Sequence, residues 1–258
     1  MPVEPIDTPS LLKRPDGATI AYHKTEGKAP CVVFLPGFRS DMTGDKALTL
    51  EAMCRARGQA FLRFDYTGHG ASSGAFEDGT IGAWTGDAVH AIEQVTEGPL
   101  VLVGSSMGGW IMLLAALRLK PRIAGLVGIA PAPDFTEELM WRGMAPEARA
   151  ELEAKGVIYQ PSDYDPEPTP ITMKLIEEGR NHLLMGGPIA LDCPVRLIHG
   201  QLDPDVPWQW SQRIAEALAS TDVEITTVKA GDHRLSEPPD LARLTRVVEG
   251  LLDHSAVL

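Results

Sequence analysis

Gly104-Ser105-Ser106-Met107-Gly108-Gly109 lies between the apolar runs Leu100-Val101-Leu102-Val103 and Trp110-Ile111-Met112-Leu113-Leu114. A strand that passes through small residues directly into an apolar helix makes a sharp turn. Such a turn lifts one side chain above the sheet edge, which is the geometry of a nucleophile elbow. The G-x-S-x-G spacing centres on Ser106, with Gly104 and Gly108 where bulk would clash. Ser106 is therefore the candidate nucleophile, in preference to Ser105.

A chain of 258 residues, 44% hydrophobic and 22% charged, can bury a large core. The net charge of −12 disfavours nucleic acid and anionic membrane surfaces as main partners. No apolar run reaches the ~20 residues that span a bilayer. The opening residues Met1-Pro2-Val3-Glu4-Pro5-Ile6-Asp7 lack a basic segment followed by an apolar one. A cytoplasmic location is the expectation. Cys31, Cys54 and Cys193 have no paired spacing and read as reduced thiols, with Cys31 and Cys193 expected as small core residues beside strands.

Strand and helix signals alternate along most of the chain. Ser10 to Arg14 and Thr19 to Thr25 flank the turn Pro15-Asp16-Gly17 as a hairpin. Strands are expected at Cys31 to Leu35, Ala60 to Phe64, Leu100 to Val103 and Ile123 to Ala130, with helices at Lys46 to Arg57 and Thr80 to Val95. Pro121 should stop the helix after the elbow. From Asp134 to Pro188 the alternation breaks into short helical stretches and a Pro-rich connector, Pro161 to Pro170. It resumes with strand Val195 to Ile198, helix Trp208 to Ala219, strand Val223 to Val228 and helix Leu241 to Leu252. The pattern predicts an α/β fold: a single domain over residues 1–258 with a mostly parallel central sheet flanked by helices. Residues 134–188 are expected to form a small, mainly helical cap inserted in it.

A serine hydroxyl needs a base, and the base needs an orienting group. His199-Gly200-Gln201-Leu202-Asp203-Pro204-Asp205-Val206-Pro207 and Gly231-Asp232-His233-Arg234 both follow strands, at the sheet edge where ligands bind. His233 alone among the seven histidines lies beyond the acid candidates and just after a strand. It is the candidate base. Asp203, first on its loop, is the candidate acid, ahead of Asp205. His199 is expected to support the loop, and His182 to sit in the cap within reach of substrate. Asp232 should point elsewhere.

Oxyanion donors are expected from the backbone N–H of Met107, at the start of the elbow helix, and of Phe38, after Pro36-Gly37. The glycine-rich turn from Asp65 to Gly74 lacks Gly-Lys-Ser/Thr and is assigned a shaping role only. No His/Cys/Asp cluster has metal-ligand spacing, so neither metal nor cofactor is expected.

With these motifs in order, the chain resembles the α/β-hydrolase-fold serine hydrolases over nearly its whole length. Phe34-Leu35-Pro36-Gly37-Phe38, Arg63-Phe64-Asp65-Tyr66-Thr67-Gly68, Gly104 to Trp110, Val206-Pro207-Trp208 and Asp232-His233-Arg234 narrow the likeness. They resemble the mitochondrial palmitoyl-protein thioesterase and mycophenolic acid acyl-glucuronide esterase group of that family. The resemblance implies Ser106, Asp203 and His233 as triad and an ester or thioester of a small molecule or an acylated protein as substrate. A carboxylesterase is the alternative; a peptidase, a carbon-carbon hydrolase and a non-catalytic binding protein are further ones. Met140, Trp141, Leu183, Leu184 and Met185 are expected either to pack the cap or to line an acyl wall. Trp110 is a further candidate contact. Arg39 and Arg180 are candidates for pairing with a substrate carboxylate.

Overall fold

The structure is a computed structural model that describes residues 8–161 and 166–255. The opening residues Met1 to Asp7 and part of the Pro161 to Pro170 connector lie outside the described residues.

Eight strands form one sheet: β1 (Ser10–Lys13), β2 (Thr19–Thr25), β3 (Lys28–Leu35), β4 (Gln59–Phe64), β5 (Leu100–Ser105), β6 (Ile123–Ile129), β9 (Val195–Gly200) and β10 (Val223–Val228). Their spatial order is β1-β2-β4-β3-β5-β6-β9-β10. The β1–β2 and β2–β4 pairs are antiparallel and the rest parallel. Side chains alternate faces along a strand, and here both faces are apolar. Cys31, Val33, Leu35, Leu100 and Leu102 join one buried cluster with α2 (Ile81–Val95) and α3 (Met107–Arg118). Val32, Phe34, Val101 and Val103 join another with α1 (Asp45–Arg57) and α7 (Pro238–Ser255). A parallel sheet covered on both faces reads as continuous apolar runs, and that is how β3 and β5 are composed.

Local signals act as their chemistry dictates. The Thr80 hydroxyl accepts the Ala83 N–H at 3.2 Å and caps α2. α3 ends at Arg118, and Pro121 falls in a short 3₁₀ turn. α7 begins at Pro238, three residues earlier than Leu241, because prolines are well placed in a first helical turn.

The chain between β6 and β9 leaves the sheet. It contains a π-helical turn (Thr136–Trp141), α4 (Pro146–Lys155), β7 (Val157–Gln160), β8 (Thr169–Thr172) and α5 (Met173–Gly179). The short helices were expected, whereas the antiparallel β7–β8 pair at either end of the Pro-rich connector was not. Its strands are four residues each, too short for alternation to register, and Pro170 sits in a strand that has only one neighbour. The segment has its own small core of Met144, Leu152, Ile158, Ile171 and Ile176. Buried Asp134 closes it: one carboxylate oxygen accepts the Leu184 N–H and the other the Met185 N–H, each at 2.8 Å. α6 (Gln209–Ala217) follows β9 and completes the layer that covers the α2–α3 face.

Candidate active site

β5 runs into α3 through Ser106, whose φ of 54° and ψ of −120° lie where non-glycine residues are strained. The turn is held by the Ser106 N–H, which donates to the Ile129 carbonyl at 2.9 Å. A Cβ on Gly104 would collide with the Gly108 carbonyl, and one on Gly108 with the carbonyls of Leu35 and Pro36. The two glycines let α3 approach β3 and β5 closely enough to aim Ser106 outward.

The loops after β9 and β10 bring the other groups to the same edge. The Ser106 hydroxyl donates to His233 Nε2 at 3.0 Å. His233 Nδ1 donates to Asp203 Oδ2 at 2.8 Å. A carboxylate accepts only, so Nδ1 carries the proton and Nε2 is left with a lone pair toward Ser106. The Asp203 side chain is fully buried. Its other oxygen, Oδ1, accepts the N–H groups of Asp205 (2.9 Å) and Val206 (2.8 Å). Burial alone would raise its carboxyl, but His199, His233 and the Val206 N–H outweigh it and hold the group well below the usual carboxylate range. Asp205 is exposed, and Asp232 turns away to accept the Leu235 N–H at 2.9 Å.

Gly37 packs against the elbow: a Cβ there would stand 3.4 Å from Ser106 Cβ. Among the described residues no acceptor takes the backbone N–H of Phe38 or of Met107. The glycine-rich turn buttresses this loop, since Asp65 accepts the Met42 N–H (2.7 Å) and the Ala71 N–H (2.8 Å).

Ser106 and His233 open onto a cavity of about 710 Å³. On the side of the inserted segment its wall is formed by the apolar Phe135, Leu139, Met140 and Met144, together with the polar Gln160 and Thr169. On the α1 side it is polar, with Arg39, Asp41, Lys46 and Arg234. Burial pushes Lys46 down to about 8, helped by Arg234; its ammonium donates to the Arg234 carbonyl and, at 3.1 Å, to Ser236 Oγ.

Of the expected substrate contacts, Arg39 and Met140 line this cavity. The others do not. Trp110 is fully buried in the core, and its Nε1 donates to the His182 carbonyl at 3.1 Å. The His182 ring is hydrogen-bonded to Glu178 at 2.6 Å. Arg180 pairs with Glu137 at 2.8 Å and stacks on Trp141, so both are occupied within the segment. Leu183 is exposed, whereas Leu184 and Met185 pack on the main core. Leu139 and Met144 were not among the expected contacts; their signal was their place beside Met140.

Asp203, Asp205 and His233 place ligand-type atoms within 4.8 Å of one another. They do not suit a cation. The Asp203 oxygens and both His233 nitrogens are already engaged in hydrogen bonds within the site. The three cysteines are free; burial pushes Cys31 and Cys54 up to about 12 and Cys193 to about 11, which makes them poor nucleophiles.

Comparison with known proteins agrees with this fold. A model of the alpha/beta hydrolase family matches residues 32–244. Human mitochondrial palmitoyl-protein thioesterase ABHD10 is 40% identical over 250 residues, which cover 96% of this chain and 81% of that protein. The solved structure of mouse alpha/beta hydrolase domain-containing protein 10 superposes with a TM-score of 0.89 at 39% identity, covering 96% of this chain and 99% of that one. Est1E from Butyrivibrio proteoclasticus, with ferulic acid bound, shares the fold at 20% identity (TM-score 0.79, covering 94% and 98%). The ABHD10 relatives from orangutan, human and cattle are all named as mitochondrial, which contradicts the cytoplasmic expectation.

Proposed function

This chain is a member of the alpha/beta hydrolase family, and from that footing we propose that it is a serine hydrolase of esters and thioesters with Ser106, His233 and Asp203 as its triad. The observation that carries the reading is the His233 imidazole, held between the Ser106 hydroxyl at 3.0 Å and the Asp203 carboxylate at 2.8 Å.

In this reading His233 Nε2 takes the Ser106 proton as Oγ attacks the acyl carbonyl. The N–H groups of Phe38 and Met107 receive the charge that develops on the carbonyl oxygen. His233 then protonates the departing alcohol or thiol, and an acyl-enzyme remains on Ser106. Water, deprotonated by His233, releases the acid and restores the hydroxyl. Asp203 stays ionised throughout and stabilises the imidazolium.

Residues 134–188 act as a cap on a single domain, and the cavity's two walls orient the substrate. The acyl chain lies against Leu139, Met140 and Met144. The leaving group faces Arg39, Lys46 and Arg234. An apolar wall with a few placed polar groups suits an acyl substrate, and the ABHD10 relatives are palmitoyl-protein thioesterases by name. We therefore assign acyl thioesters, including acylated proteins, as the preferred class.

Labelling of the purified protein with a fluorophosphonate, followed by kcat/KM on matched acyl thioesters and oxyesters, tests this reading. Labelling at Ser106 with a preference for long-chain thioesters is the expected result. Absence of labelling would make the chain a hydrolase-fold binding protein, and a preference for short oxyesters would make it a general carboxylesterase.

A further inference from the structure

His199 is the penultimate residue of β9 and is fully buried. Its Nε2 lies 3.2 Å from Asp203 Oδ2 and 3.1 Å from the Val206 carbonyl. Both are acceptors, so Nε2 carries the proton and donates to each. Its Nδ1 then accepts the Ser211 hydroxyl at 2.8 Å. Asp203 Oδ2 therefore serves two imidazoles, that of His199 and that of His233.

We propose that His199 is a positioning residue that sets both the aim and the proton affinity of the catalytic base by sharing the Asp203 carboxylate oxygen with it. The proposal rests on the triad reading of Ser106, His233 and Asp203. Two physical effects follow from the sharing. The Ser211–His199 pair is a fixed support that stops the carboxylate from rotating about its Cβ–Cγ bond. A second donor on Oδ2 also withdraws charge from the acceptor that stabilises the His233 imidazolium. It keeps the base less basic than an unshared aspartate would make it. The charged and titratable groups around the pair are Asp203 and Asp205 on the loop after β9, Asp232, His233 and Arg234 on the loop after β10, Asp45 and Lys46 on α1, and Arg39 and Asp41 on the loop after β3. All are retained when His199 alone is replaced, so their effects cancel in the comparison. His199 is not part of the cavity lining, and substrate binding should be indifferent to it.

The test is the pH dependence of kcat/KM, with kcat and KM measured separately on one soluble thioester, for His199→Leu, His199→Met and His199→Gln. Leu and Met lack a donor, whereas the Gln amide can offer an N–H to the same oxygen. In the donor-less variants the acidic limb is expected to move to higher pH by about half a unit or more, because an unshared carboxylate holds the imidazolium more firmly. kcat should fall several-fold while KM is unchanged. His199→Gln should return the limb toward the wild-type position. Should neither donor-less variant fold, Ser211→Ala keeps the imidazole but weakens it as a donor, and a smaller shift in the same direction is expected. An unmoved limb in the folded variants, with Ser106→Ala inactive, would overturn the role of His199 and leave the triad standing. Activity in Ser106→Ala would instead overturn the triad itself.

Discussion

Ser106 and His233, 127 positions apart in the chain, stand 3.0 Å from each other at the carboxyl edge of the sheet. β5 and the loop after β10 come from different halves of the chain, and only the parallel order of β5, β6, β9 and β10 makes the two meet. Ser106→Ala is expected to abolish hydrolysis and fluorophosphonate labelling without loss of fold. Ser105→Ala, at the buried end of β5, should stay active. Turnover by purified Ser106→Ala protein would refute the assignment.

Asp203→Asn should lower kcat by on the order of 10⁴, the cost of losing the carboxylate that orients the base. The side chain receives four donors, from His199, His233, Asp205 and Val206, so an amide there leaves at least one N–H facing another donor. Asp205→Asn changes an exposed side chain whose backbone N–H makes the contact, and its kcat should stay within a few-fold of wild type. The reverse order of the two losses in steady-state assays would move the role to Asp205.

Met140 and Met144 face the cavity from the inserted segment. Met144→Trp should narrow the acyl wall and reduce kcat/KM for long-chain thioesters at least ~10-fold, as expected when a well-packed apolar site is overfilled by ~1–3 kcal/mol. Acetyl thioesters should be nearly unaffected. A chain-length profile that does not move would place the acyl chain elsewhere. Arg180→Ala offers a contrast. Arg180 pairs with Glu137 away from the cavity, so kcat/KM should not change and stability should drop by no more than ~1 kcal/mol.

How much of this was legible in the sequence depends on how local each cause is. The elbow could be read because Gly104 and Gly108 answer a steric demand within five residues. Asp203 and His233 could be read because both lie just beyond a strand, in the chain order that follows Ser106. Trp110 and Arg180 could not be placed, because a side chain's direction depends on its packing. An indole on the elbow helix can face the site or the core, and here it faces the core, where it meets the His182 carbonyl. The β7–β8 pair was hidden by brevity. The sharing of Asp203 by His199 was hidden by the loop's tertiary path, although the four-residue spacing was visible.

His69 is a buried base with an identifiable cost. It sits among Tyr66, Phe76 and Trp84 with ring centroids 5.1–5.6 Å away, and its Nε2 has no hydrogen-bond partner among the described residues. Burial pushes its pKa down to about 4, and nearby Arg39 acts the same way against the pull of the Thr67 carbonyl. The sign follows from proton counting. Between the unfolded value near ~6.5 and the folded value, the unfolded chain binds a proton at this site that the native one excludes. Stability must therefore fall as pH drops through that window, by up to ~1.4 kcal/mol per pH unit from this group. His69→Phe keeps the aromatic packing and removes the titration. Melting temperatures of the two proteins measured from pH 8 to pH 4.5 should diverge below pH ~6.5, with the variant gaining on wild type as the solution becomes more acid. Parallel curves across that range would show that His69 is protonated in the native state as readily as in the unfolded one.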